Sequence, residues 1–205
     1  MNTKTINNTP PKSGFTLIEL LVVIVIIGIL SSIGISSFAS SIQRTRDAKR
    51  IAEVKEIVNS LKRYYLDYGA YPEETTPSGN LSGWEVSLYG PFLERLDPYF
   101  ETKTPVDPIN TVAAVWDPFG PRPTDGSLFY AYYNYPSGTN YGCDFSGPFS
   151  IIAFKAFEID DPSELPKAFC DNRANPSPST CPRGGILNSC RYWNTEYDYS
   201  VMLKK

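Results

Sequence analysis

The sequence predicts an α+β protein: one long N-terminal helix whose second half packs on a small antiparallel β-sheet. Three observations carry that prediction. An apolar run from Phe15 to about Phe38 is too long and too uniform for an ordinary core helix. It continues without a breaker into an amphipathic stretch that closes at Gly69 and Pro72. The best strand patterns come late, after Leu128.

The elements follow in order. Residues 1–14 are short and polar, with Lys4 and Lys12 and no acid, and Pro10-Pro11 prevents a continuous helix there. Residues 15–38 supply an apolar helix, since about 20 residues at 1.5 Å each span a bilayer's hydrocarbon core. Residues 39–70 extend it. Ile51, Val54, Val58, Leu61, Tyr65 and Tyr68 recur at alternating steps of three and four, one apolar stripe whose residues Ile51, Val54, Val58, Leu61 and Tyr65 are laid against the sheet. Gly69 takes the left-handed cap and Pro72 cannot continue the helix. A helix from Phe15 to Tyr68 has a length on the order of 80 Å. No globular domain buries that length, so the first half must find lipid or another chain.

Residues 71–205 form the head. The chain from Tyr71 to Gly126 is rich in Pro, Gly and Thr, with apolar clusters at Trp84–Leu88, Phe92–Leu96 and Val112–Val115. It reads as a long loop with one or two short helical or strand pieces. Leu128–Tyr133 and Phe149–Glu158 are the best strand candidates, and "YWNTEYDYSVML" is a last one. Asp171–Gly185 reads as a surface loop flanked by cysteines.

Composition excludes several functions. The net charge is −3, from 19 basic and 22 acidic side chains, which argues against a nucleic-acid-binding domain as a whole. There is no histidine, which removes Ser-His-Asp and Cys-His catalysis and every imidazole metal site, so no enzyme is expected. The cysteines, Cys143, Cys170, Cys181 and Cys190, form no C-x-x-C pair. An even number after a membrane or export segment fits two disulfides in an oxidising compartment, with three pairings open.

The strongest motif is Gly14-Phe15-Thr16-Leu17-Ile18-Glu19, within "KSGFTLIELLVVIVIIGIL". Residues 12–37 resemble the class III signal of type IV pilins and type II secretion pseudopilins. The resemblance implies a pilin-like fold and a prepilin peptidase cut between Gly14 and Phe15, with residues 1–14 as the leader. It implies N-methylation of Phe15 and a filament subunit, with a secretion pseudopilin as the alternative. An assembly ATPase, a platform protein and other pilins are the implied partners, with membrane lipid before assembly. Arg44–Pro72 is similar to the helix end of pseudopilin-like chains. "VDPIN" (106–110) and "WDPFG" (116–120) resemble the Asp-Pro elements of major pseudopilins. A calcium site belongs to those proteins; Asp117, Asp125 and Asp144 are its candidates here, and as turn caps they have the stronger reading. No other cofactor is expected.

Glu19 poses the sharpest physical question. Thr16-x-x-Glu19 has the spacing of a capping box, and a carboxylate at a helix start gains from the macrodipole. A cut after Gly14 would add a second need, because the new α-amino group is a charge within an apolar bundle. Such a charge costs roughly 2.5 to 3.5 kcal/mol even on a lenient insertion scale. The resemblance implies that Glu19 of one subunit meets the Phe15 ammonium of its neighbour and sets axial register.

Other features carry less. Gly28 and Gly34 read equally as common membrane-helix residues or as points of close helix approach. Arg44, Arg46, Lys49 and Arg50, with Asp47, read as a solvated face touching lipid headgroups; a DNA-binding filament surface is the alternative. Counting positive charges would keep that side cytoplasmic. The cysteines and the resemblance place the head outside, on a single-pass inner-membrane protein. Two competing functions are a secreted binding domain, with Leu20–Leu30 as a signal h-region and Ser37-Phe38-Ala39 as its cleavage site, and a membrane-anchored enzyme.

Overall fold

The computed structural model describes residues 14–73, 85–88, 90–113, 126–139, 143, 145–159, 165 and 197–204, with backbone alone at 33, 34 and 36. The chain divides into two units, Met1–Ile42 and Gln43–Lys205. One helix, α1, runs Leu17–Tyr68 and contributes to both.

In the first unit the apolar side chains of α1 are exposed from Leu17 to Leu30, Leu17 at 82% and even Val23 at 46%. This stretch is long and apolar enough to cross a membrane. A continuous apolar surface of that kind is stable only against lipid or protein.

In the second unit α1 packs on a four-stranded antiparallel sheet in the order β1 (Glu85–Val86), β2 (Tyr130–Tyr135), β3 (Phe149–Phe154), β4 (Tyr199–Lys204). Tyr130 pairs with Phe154, and Phe149 with Lys204, so β2, β3 and β4 form a meander of matched length. The alternation along β2 separates two cores. Tyr130 and Tyr132 join Val54, Ile57 and Leu61 of α1, with Phe92, Leu93, Leu96, Ile152 and Phe154. Ala131, Tyr133 and Tyr135 face the other side, with Val86, Phe129, Phe149, Ile151 and Tyr197. Burial on both faces explains why β3, "FSIIAF", is apolar at every position but Ser150.

The sequence placed most of this correctly and misjudged some edges. β2 begins two residues later than the predicted strand. β3 stops at Phe154, four residues short of the predicted end, although Lys155 still keeps in-register backbone bonds to Phe129 and Asp198. The cluster at Trp84–Leu88 contributes β1, and Leu96 enters a 3-10 helix, Glu94–Tyr99. Thr111 bridges Leu128. The residues from 171 to 185 lie outside the described ones. α1 ends as predicted: Gly69 adopts φ +73° and its N–H donates to the Tyr65 carbonyl at 2.8 Å.

The stripe on α1 is a correction. Val54 and Leu61 of the predicted stripe are fully buried, but the buried line runs through Asp47, Arg50, Val54, Ile57 and Leu61 and leaves Ile51, Val58, Tyr65 and Tyr68 to its side. Ile51 and Val58 are only partly buried, and Tyr68 is exposed. A stripe chosen by apolar character excludes charged residues at its margin. Here two of them turn inward because they find each other.

Candidate functional site

Two sites follow, one in each unit. The first is the start of α1. Thr16 is the N-cap: its backbone N–H donates to Glu19 Oε2 at 2.8 Å and its hydroxyl to the same oxygen at 2.6 Å. Glu19 N–H returns a bond to Thr16 Oγ1 at 3.3 Å. This is the reciprocal capping box that the spacing predicts. Leu20 N–H reaches the Thr16 carbonyl, so the helix starts at the residue after the cap. Glu19 is therefore satisfied locally through Oε2, on an exposed turn. Phe15 is exposed beside it. A side-chain atom added at Gly14 or Gly28 would meet nothing within 4 Å.

The second site sits where α1 enters the head. Arg50 is fully buried and donates to three carboxylates. Its Nε and Nη2 hold Asp107 at 2.7 and 3.1 Å, and its Nη1 holds Asp47 at 2.7 Å and Glu158 at 2.9 Å. Arg46 holds Glu158 through two nitrogens, Nε at 2.7 Å and Nη2. The guanidiniums of Arg46 and Arg50 hold the Glu158 carboxyl below the usual carboxylate range, Arg46 foremost, against the opposing effect of burial. Glu158 in turn raises the Arg46 guanidinium further above its ordinary value. Burial opposes the charge on Arg50, and the three carboxylates more than offset it, so Arg50 stays firmly protonated.

Backbone groups complete the arrangement. Asp47 accepts from the N–H groups of Glu158 and Ile159 at 2.9 and 3.1 Å. Asp107 accepts from its own loop, Ile109 and Asn110, which lets Asn110 take φ +51°. One turn further along, Tyr130 donates to Glu53 at 2.6 Å, and Lys49 pairs with Glu53 at 3.5 Å. Burial, then this bond, pushes the Tyr130 hydroxyl up.

This overturns the reading of 44–50 as a uniformly solvated face. Arg44 and Lys49 are exposed, whereas Asp47 and Arg50 are the core of an ion cluster. Asp47 and Arg50 continue the line of Val54, Ile57 and Leu61 backwards, a continuity that shows only once the buried face of α1 is known. The role of Asp107, inside "VDPIN", and that of Glu158 needed the tertiary structure.

Other predicted residues stand as follows. Cys143 is buried in the sheet's second core, and among the described residues no cysteine is free. Cys170, Cys181 and Cys190 lie outside the described residues, as do the calcium candidates Asp117, Asp125 and Asp144. Among the described residues no cluster of metal-binding side chains occurs.

With this geometry in place, comparison with known proteins is specific. Residues 10–35 match the prokaryotic N-terminal methylation motif. Type II secretion system core protein G of Escherichia coli (strain K12) is 32% identical over 101 residues, covering 49% of this chain and 68% of that protein. The chain belongs to the type IV pilin and type II secretion pseudopilin family. Type IV major pilin protein PilE of Neisseria gonorrhoeae is 32% identical over 42% of this pilin-family chain and 50% of its own length. Core protein G of Aeromonas hydrophila is 38% identical over 33% of the chain and 46% of its own length. The chain thus spans about half the length of the curated relatives it matches. No solved structure matches it.

Proposed function

We propose that the chain is a structural subunit of a type IV pilus-like filament, made as a membrane precursor and assembled through residues 15–38. The observation that carries this reading is the exposed apolar length of α1 beginning at a methylation motif. The precursor rests in the inner membrane as a single-pass protein with its head outside. Prepilin peptidase cuts between Gly14 and Phe15 and methylates Phe15. An assembly ATPase and a platform protein then draw subunits from lipid into a helical bundle, where apolar surface is covered by apolar surface and helices replace acyl chains.

Glu19 then has two successive tasks. In the precursor it closes the capping box. In the filament its carboxylate meets the Phe15 ammonium of a neighbour, and each charge offsets the desolvation of the other. Any axial slip would separate the pair and leave both charges in an apolar medium, so the pair sets register. Outside the membrane, Cys143, Cys170, Cys181 and Cys190 would form two disulfides within the head. The role is assembly, not catalysis.

A second reading is a pseudopilin of a type II secretion system, favoured by the core protein G match over 101 residues. Mass spectrometry of the mature N-terminus tests the first step: N-methylated Phe15 is expected, and a chain starting at Ser40 would instead support a secreted domain. Deleting the gene separates the two machines. Loss of surface filaments marks a pilus, and retention of exported enzymes in the periplasm marks secretion.

A further inference from the structure

Three carboxylates from three distant stretches meet one buried guanidinium. Asp47 comes from α1, Asp107 from the loop after the 3-10 helix, and Glu158 from the segment after β3. The side chains of Arg50, Asp47 and Asp107 have no exposure, and that of Glu158 has 8%. Oxygens from three separate segments thus converge on a single cation, and that cation belongs to the chain.

We propose that Arg50 is a resident cation: the cluster is a cation site filled by the protein's own guanidinium, and its occupancy latches the segment 157–159 and the Asp107 loop to α1. The charges require it. With Arg50 and Arg46 present, two guanidiniums face three carboxylates, and the remaining negative charge is spread over backbone N–H donors from Ile109, Asn110, Glu158 and Ile159. Without Arg50, three buried carboxylates face Arg46 alone. Like charges in a poorly screened site repel, so Glu158 and Asp107 move away from Asp47. The Glu158 and Ile159 amides then lose the Asp47 acceptor that ties them to the helix. A vacated site with this geometry takes a small planar cation, because the fork of a guanidinium matches carboxylates two N–H groups at a time.

The latch also has a surface consequence. Val106, Ile109 and Ile159, each exposed by about two-fifths, flank the two latched segments, so Arg50 fixes where these apolar side chains stand. The inference lies wholly in the second unit and does not rest on the filament reading.

The test is amide hydrogen exchange by NMR on the full chain in detergent micelles, with the β3 amides of Ile151 and Ile152 as the control for folding. In Arg50→Ala, exchange at Glu158 and Ile159 is expected to rise about tenfold or more, the factor set by a lost charge-assisted bond. Guanidinium chloride, far below denaturing concentration, should restore protection at those amides. It should leave Val54→Ala, which loosens the same helix through packing, unchanged. Wild-type exchange in Arg50→Ala overturns the proposal, as does a rise that guanidinium fails to reverse. If Arg50→Ala also loses protection in β3, Arg50→Lys is compared with Arg50→Met, which share a long stem and differ in charge. Slower exchange in the lysine variant is expected. Equal exchange in the two would show that the stem and not the cation holds the segments.

Discussion

The two halves of α1 use side chains in opposite ways. From Leu17 to Leu30 the helix is apolar and exposed, and its one acid, Glu19, is satisfied within a turn of itself. From Gln43 to Leu61 it is studded with charge, and two of its charged residues, Asp47 and Arg50, are among its most buried. Hydropathy alone predicts the reverse for both. The difference teaches that burial follows the available partner. Apolar residues stay exposed where their cover is lipid or another chain, and charged residues go inside where ions of the opposite sign arrive from other parts of the fold.

The comparison breaks most visibly at Arg50. Arg50→Ala should destabilise the head by about 3 to 5 kcal/mol, because it leaves buried carboxylates without their counter-ion; chemical denaturation of the full chain in detergent measures it. Leu61→Ala should cost about 2 to 5 kcal/mol by the same assay, through a cavity between α1 and the sheet. If the two losses come out reversed, with Arg50→Ala near zero, the ion cluster is dispensable to the fold.

The cluster should also be acid-sensitive. Glu158 is held below the ordinary glutamate value of 4.5, so the unfolded chain binds its proton first as pH falls. Its contribution is therefore complete above that value and disappears as pH drops through the lower folded-state pKa. Thermal melting of the wild type should show this slope, and Glu158→Gln should flatten it. A slope unchanged in that variant would assign the acid sensitivity to other groups.

At the small end, Lys49→Ala should change stability by less than about 1 kcal/mol, since Lys49 is mostly exposed, its contact with Glu53 is long at 3.5 Å, and Glu53 keeps its bond from Tyr130. Glu19 sharpens the comparison from the other side, with no expected effect on the head. Glu19→Gln keeps an oxygen acceptor for the Thr16 cap but loses the charge. It should insert as the wild type does and assemble poorly, as should Glu19→Ala, which loses both. Filament yield by sedimentation reads this directly. Normal assembly of the glutamine variant would leave capping as the whole role of Glu19.

Much of the molecule was legible in advance because it depends on local chemistry. The capping box follows from residues three apart, the end of α1 from one glycine, and β3 from a run of β-formers. What could not be read was the rotation of the α1 stripe. Ile57 is fully buried and Tyr68 exposed, although the apolar pattern chose Tyr68 and passed over Ile57. The helix turned to place Arg50 and Asp47 inward, and their partners lie 57 and 108 residues from Arg50 in sequence.

By itself the sequence determined the long helix, its apolar length, its cap at Thr16–Glu19 and the presence of a later antiparallel sheet. Each is fixed by neighbours within a turn or a strand. Only the tertiary structure decided which face of α1 is buried and why the Arg44–Arg50 stretch carries both a solvated surface and a buried ion cluster. The reason is electrostatic: the cost of removing a charge from water is offset only by partners whose positions the fold supplies.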